Sequence, residues 1–167
     1  PNQFATISYG VDSSGANAGY FESPTPGAPN GSLHGPPPAK VAASQSSKMF
    51  TSAFRVELSC PTPGATIRYT TDLSTPSNRS PVFSPGRRIS ITGSTQIRAR
   101  AFLPGALDGP VTVETYLKMS AQVAAFSSNL PLIVQSTLGG GRPPSSGSTS
   151  LSISIPRIPT NKRQYVW

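Results

Sequence analysis

Few side chains of this 167-residue chain could do chemistry: six carboxylates, one histidine, one cysteine and fourteen lysines and arginines. Glycoside hydrolysis needs two facing carboxylates roughly 5–10 Å apart. Glu57, Asp108 and Glu114 fall on separate strands and loops, with no spacing that would make them converge. Asp72 is the only carboxylate of its turn, placed to cap that turn through backbone amides. His34 sits in Gly31-Ser32-Leu33-His34-Gly35-Pro36 with no second histidine anywhere, which supplies neither a Ser-His-Asp set nor a metal ligand cluster. Cys60 is single, which excludes an internal disulfide and cysteine-rich metal sites. Its place in series with Phe54, Val56 and Leu58 reads as a small buried hydrophobe rather than a reactive thiol. Gly139-Gly140-Gly141-Arg142 lacks the lysine and hydroxyl residue of a phosphate-cradling loop and reads as a flexible turn. The expectation is no catalytic residue, no cofactor and no metal site.

Charge is the remaining resource. The formal net charge is +8, chiefly from arginine. Arg55, Arg68, Arg98 and Arg100 fall on outward positions of strands, and Arg87-Arg88 in a turn. Arg68, Arg98 and Arg100 make a candidate anionic-ligand face, which could attract phosphate or acidic polysaccharide through its summed field. A solvated sheet face is the competing reading. Aromatic residues do not alternate with the basic ones as stacking platforms require, so no specific nucleic-acid partner is expected.

The elements that would position these residues follow from a period of two. Apolar residues recur at alternate positions in Phe54, Val56, Leu58 and Cys60, in Ile67 and Tyr69, in Ile89 and Ile91, in Ile97, Ala99 and Ala101, and in Val111 and Val113. Pro61-Thr62-Pro63-Gly64, Asp72-Leu73-Ser74-Thr75-Pro76, Ser84-Pro85-Gly86 and Leu103-Pro104-Gly105 separate these runs as turns. The pattern predicts an all-β chain folded as a small antiparallel sandwich and monomeric. Its expected core includes Phe54, Val56, Leu58, Ile67, Tyr69, Ile97, Ala99 and Val113.

Outside this centre the signals thin. Phe4 to Gly10 reads as a strand and Asp12 to Gly15 as a turn, but one terminal strand cannot bury its own apolar face, so this part should be loosely held or borrow a partner. Pro36-Pro37-Pro38 reads as a semi-rigid linker. Ala125 to Ser136 reads as a strand, and Leu151, Ile153 and Ile155 as another, ahead of a basic tail. No apolar run approaches the ~20 residues that cross a bilayer. Pro1-Asn2-Gln3-Phe4-Ala5 lacks the charged start and apolar stretch of a signal peptide, and the chain reads as a piece excised from a longer protein.

Thr66-Ile67-Arg68-Tyr69-Thr70-Thr71-Asp72, then Ser74-Thr75-Pro76, Gln96 to Phe102 and Val113-Glu114-Thr115-Tyr116 resemble the chitobiase/β-hexosaminidase C-terminal-type domain over roughly residues 39–118. The resemblance implies an immunoglobulin/fibronectin type III-like sandwich without catalytic residues, appended to secreted or cell-surface bacterial proteins. Leu73 stands where that family usually has glycine. Ser8-Tyr9-Gly10 with Thr25-Pro26-Gly27-Ala28-Pro29-Asn30 resembles the end of a bacterial lamin-tail domain, and Ala125 to Ser136 the opening of a region in CotH-kinase-like proteins. The expected division is 1–32 as a lamin-tail remnant, 33–39 as linker, 40–118 as the sandwich, and 119–167 as an incomplete β segment and tail. The reading is a non-catalytic spacer module whose partners are neighbouring domains. One alternative is a carbohydrate-binding module acting on polysaccharide, for which Tyr69, Phe83, Phe102 and Tyr116 are the available rings. The other is a fragment of a CotH-like kinase whose catalytic part lies elsewhere.

Overall fold

The computed structural model describes residues 7–125 and Leu138. Ten strands and one short helix follow in order: β1 (Ser8–Val11), β2 (Ala18–Phe21), β3 (Ala42–Ala43), β4 (Lys48–Phe50), β5 (Phe54–Val56), β6 (Leu58–Ser59), β7 (Thr66–Thr70), β8 (Ile89–Ile91), β9 (Thr95–Phe102), β10 (Thr112–Lys118) and α1 (Ala121–Ala125). The fold is the expected all-β sandwich. One layer is a four-stranded sheet in the order β4-β10-β9-β7, antiparallel except where β4 runs parallel to β10. Facing it, β5 pairs with β8 and β6 with β3.

Both layers send alternate residues inward. Val56, Leu58 and Ile91 come from one side, and Ile97, Ala99, Ala101, Tyr116 and Phe50 from the other, with Val41 and Phe83 completing a single buried cluster. Phe54, Ile67 and Tyr69 pack against it half-buried, and so does Cys60, a small hydrophobe whose Sγ lies 3.4 Å from the Ala39 carbonyl. Val113 departs from the expected core. It is 46% exposed because it pairs with outward Arg98, while its neighbours Thr112 and Glu114 pair with inward Ala99 and Ile97. Thr112 Oγ1 donates to the Val41 carbonyl, and Glu114 accepts from the backbone N–H and hydroxyl of Ser47. The inward rim of β10 is therefore polar, and it satisfies the loops on either side of β3.

Four X-Pro-Gly-X sequences build the corners in one way. Thr25-Pro26-Gly27-Ala28, Thr62-Pro63-Gly64-Ala65, Ser84-Pro85-Gly86-Arg87 and Leu103-Pro104-Gly105-Ala106 are each closed by a hydrogen bond from the fourth N–H to the first carbonyl, with φ of 74–79° at glycine. These are type II turns, in which proline presets the second position and glycine supplies the positive φ of the third. The turn at Asp72 puts a residue other than glycine in the left-handed region: Leu73 has φ 68°. Asp72 Oδ1 accepts from the N–H and hydroxyl of Ser74, and Thr70 Oγ1 donates to the Ser74 carbonyl, which holds the strained residue in place. Because the left-handed conformation costs a β-carbon residue about 1–2 kcal/mol and the Leu73 side chain is 43% exposed, Leu73→Gly should stabilise the fold by about 0.5–1 kcal/mol after glycine's extra chain entropy. Urea unfolding checks this, and a loss of stability would mean that the leucine side chain contributes more than its backbone costs.

The N-terminal strand does borrow partners. β1 pairs with β2 as a hairpin, and the Asp12 carboxylate ties the turn between them through Ser14, Ala16 and Asn17. Those bonds, led by the Ser14 hydroxyl, lower the Asp12 carboxyl to about 2. Tyr20 exchanges backbone hydrogen bonds with His34, and Gly35 bonds in turn to Gly105 and Leu107, so the start of the stretch read as a semi-rigid linker is hydrogen-bonded on both sides. Tyr20 and Phe21 are buried. At the other end Ala125 closes the helix α1 rather than opening a strand; the rest of the expected strand to Ser136, and the alternation at Leu151, Ile153 and Ile155, lie outside the described residues.

Candidate functional site

The strand register brings the arginine face together. Arg68 stands directly across from Arg100, and Arg98 lies two residues along the same face of β9, across from Thr70 and Val113. Like charges directly opposite on adjacent strands destabilise a sheet. Here the Asp108 carboxylate, 2.9 Å from Arg100 Nη1, offsets the clash. Arg100 Nε donates to the Gly109 carbonyl, and its guanidinium lies 5.7 Å from the centre of the Phe102 ring. Arg68 Nη1 donates to the Ser80 carbonyl at 2.6 Å, and Arg98 Nε to Gln96 Oε1 at 2.9 Å. Each guanidinium is thus aimed by a protein acceptor. Among the described residues Arg68 and Arg98 have no carboxylate partner.

Gly109 sets the floor beside Arg100. A Cβ there would come within 2.8 Å of the Ala101 carbonyl oxygen and 3.2 Å of that of Pro38, so only glycine lets the proline segment approach β9 this closely. Over this floor lies a hollow of about 730 Å³, walled by Glu22, Pro37, Lys40, Thr62 and Pro110 together with Arg100 and Asp108. A second hollow of about 530 Å³ is walled by Thr75, Ser77, Asn78 and Arg79, again with Arg100 and Asp108. Sequence reading missed both, since their walls come from segments far apart in the chain.

The carboxylates do not assemble into acid–base machinery. Asp12 serves the β1–β2 turn, Glu57 faces Arg88 at 3.6 Å, Asp72 serves the Leu73 turn, Asp108 is held by Arg100, and Glu114 by Ser47. The bonds from Ser74 lower the Asp72 carboxyl below its ordinary value, as suits a turn cap. Among the described residues Glu22 alone has no bonded partner. It shares a hollow with Asp108, and both are exposed, with Asp108 ion-paired to Arg100. Among the described residues no group of three or more His, Cys, Asp and Glu side chains could hold a metal ion, and no helix is long and apolar enough to cross a membrane.

The rings are inside. Phe83, Phe102 and Tyr116 are 5%, 8% and 0% exposed, and Tyr69 is half-buried edge-on to Phe83 at 6.2 Å. Residues 45–115 match the family model of the chitobiase/beta-hexosaminidase C-terminal domain. The matched stretch runs from the residues before β4 into β10 and takes in both layers of the sandwich except β3. Domains of this chitobiase type are non-catalytic β-sandwich modules at the C-terminal side of larger glycosidases. The match supports the resemblance of the sandwich; the lamin-tail resemblance of residues 1–32 and the CotH-type resemblance of residues 119–167 have no such support. No curated protein and no solved structure matches the chain.

Proposed function

We propose that this chain supplies a non-catalytic accessory module that spaces and positions the neighbouring domains of a larger secreted or cell-surface protein. The observation that carries the reading is the commitment of five of the six carboxylates to structural partners, with no second ionisable group among the described residues poised to exchange protons with any of them. The closed corners suit a spacer, because four proline–glycine turns and a hydrogen-bonded proline segment limit the freedom of the chain between elements. The resemblances at residues 1–32 and 119–167 suggest a lamin-tail-type domain before the sandwich and a CotH-type region after it. A carbohydrate platform of flat aromatic rings is disfavoured, because the rings that would form it are packed in the core. The purified chain should hydrolyse no N-acetylglucosaminide and transfer no phosphate from ATP. Turnover that survives exhaustive purification and disappears in Asp108→Asn would overturn the reading.

A further inference from the structure

Arg100 and Asp108 line both hollows, so their ion pair stands where the two meet. We propose that the hollows form one binding groove for a carboxylate-bearing oligosaccharide, a uronic acid chain, with sugar hydroxyls seated on the Arg100–Asp108 pair and carboxylates drawn to Lys40 and Arg79 at either end. The inference goes beyond the accessory role, which does not depend on a ligand.

Three features carry it. The first is the pairing of donors with acceptors. The Arg100 guanidinium is fixed by the Gly109 carbonyl, by Asp108 and by the Phe102 ring, and the Asp108 side chain is 45% exposed, leaving lone pairs facing the groove. A hydroxyl both donates and accepts, so an adjacent guanidinium and carboxylate fit a polyol as neither would alone. The second is the wall chemistry: Pro37, Pro38 and Pro110 give C–H surface for a sugar ring to lie against, and Thr62, Thr75, Ser77 and Asn78 add uncharged polar groups. The hollows, about 730 and 530 Å³, are open to solvent and leave room for sugar rings along the surface. The third is charge. Lys40, Arg79 and Arg100 face only Glu22 and Asp108 in the groove, and Arg68, directly across from Arg100, adds a cation with no carboxylate partner among the described residues. The excess selects an acidic chain over a neutral one. Nucleic acid fits worse, since the buried rings offer its bases no stacking surface.

The test is titration of the full chain with an oligogalacturonate, a neutral chitin oligomer and a DNA duplex of similar length, at low and physiological ionic strength. The oligogalacturonate should bind with salt-sensitive affinity, the other two should not, and Lys40→Glu and Arg79→Glu should each weaken binding about tenfold, as loss of one charged contact implies. Both residues are exposed, so neither variant disturbs the core, and Arg87→Glu, at an exposed turn outside the groove, should bind as the parent does. Equal affinity for DNA, equal loss in Arg87→Glu, salt-insensitive binding of the chitin oligomer, or no binding of the oligogalacturonate would each overturn the proposal.

Discussion

Replacing Val56 with aspartate unfolds the sandwich. Val56 has no exposed surface, pairs with Ile89 across β5 and β8, and belongs to the cluster that joins the two layers. A carboxylate there would be buried without a partner, at a cost of several kcal/mol. That is comparable to the whole stability of a small domain, about 5–15 kcal/mol. A circular-dichroism melt should show no cooperative transition for Val56→Asp, whereas Val56→Ala should keep one at a lower midpoint. A parent-like melt in the aspartate variant would mean that this face of β5 is not the core face.

The second large effect belongs to Tyr116. It is fully buried, its ring meets Phe54 edge-on at 5.2 Å, and its hydroxyl donates to the Gln45 carbonyl at 2.6 Å. Tyr116→Ala should cost about 3–5 kcal/mol, as other large aromatic truncations do. Tyr116→Phe should cost about 1–2 kcal/mol, through the lost hydrogen bond and the carbonyl left without it. The residue also predicts a pH dependence. Burial, reinforced by the nearby Glu114 charge, raises its hydroxyl well above the ordinary value of 10.0. The folded chain therefore holds this proton longer than the unfolded chain does, and the stability it contributes is complete below about pH 10 and drains away as pH rises beyond that. Alkaline denaturation followed by tyrosinate absorbance should show one tyrosine ionising with unfolding, a step absent from Tyr116→Phe. If that step persists in the variant, the late-ionising tyrosine is another one.

The turns and the middle strands were legible in the sequence because they rest on local rules. Each proline–glycine pair specifies its turn within four residues, and Ile97, Ala99 and Ala101 alternate with Gln96, Arg98 and Arg100 as a two-faced strand must. β10 was not readable in the same way. Its apolar Val113 faces outward, and its inward positions before Tyr116 are Thr112 and Glu114, polar because they satisfy backbone groups of Val41 and Ser47 about seventy residues earlier. A hydrophobic period cannot see such a partner. The arginine face followed from alternation, but the placement of Arg68 against Arg100 needed the register of β7 on β9. The hollows were beyond sequence altogether, since Glu22, Lys40, Thr62, Arg79 and Asp108 meet only through the hairpin, the proline segment and the closed corners.

An accessory module must hold its shape without its neighbours, so the decisive measurement is the thermal unfolding of residues 35–119 alone. Those bounds follow the hydrogen bonds: Gly35 pairs with Ala106 beside the Gly105 turn, and the Met119 N–H donates to the Phe50 carbonyl. A single cooperative transition, seen at the same midpoint by far-ultraviolet circular dichroism and tyrosine fluorescence, is the predicted result. A gradual, non-cooperative loss of signal would contradict the account, because the sandwich would then depend on the rest of the chain for its fold.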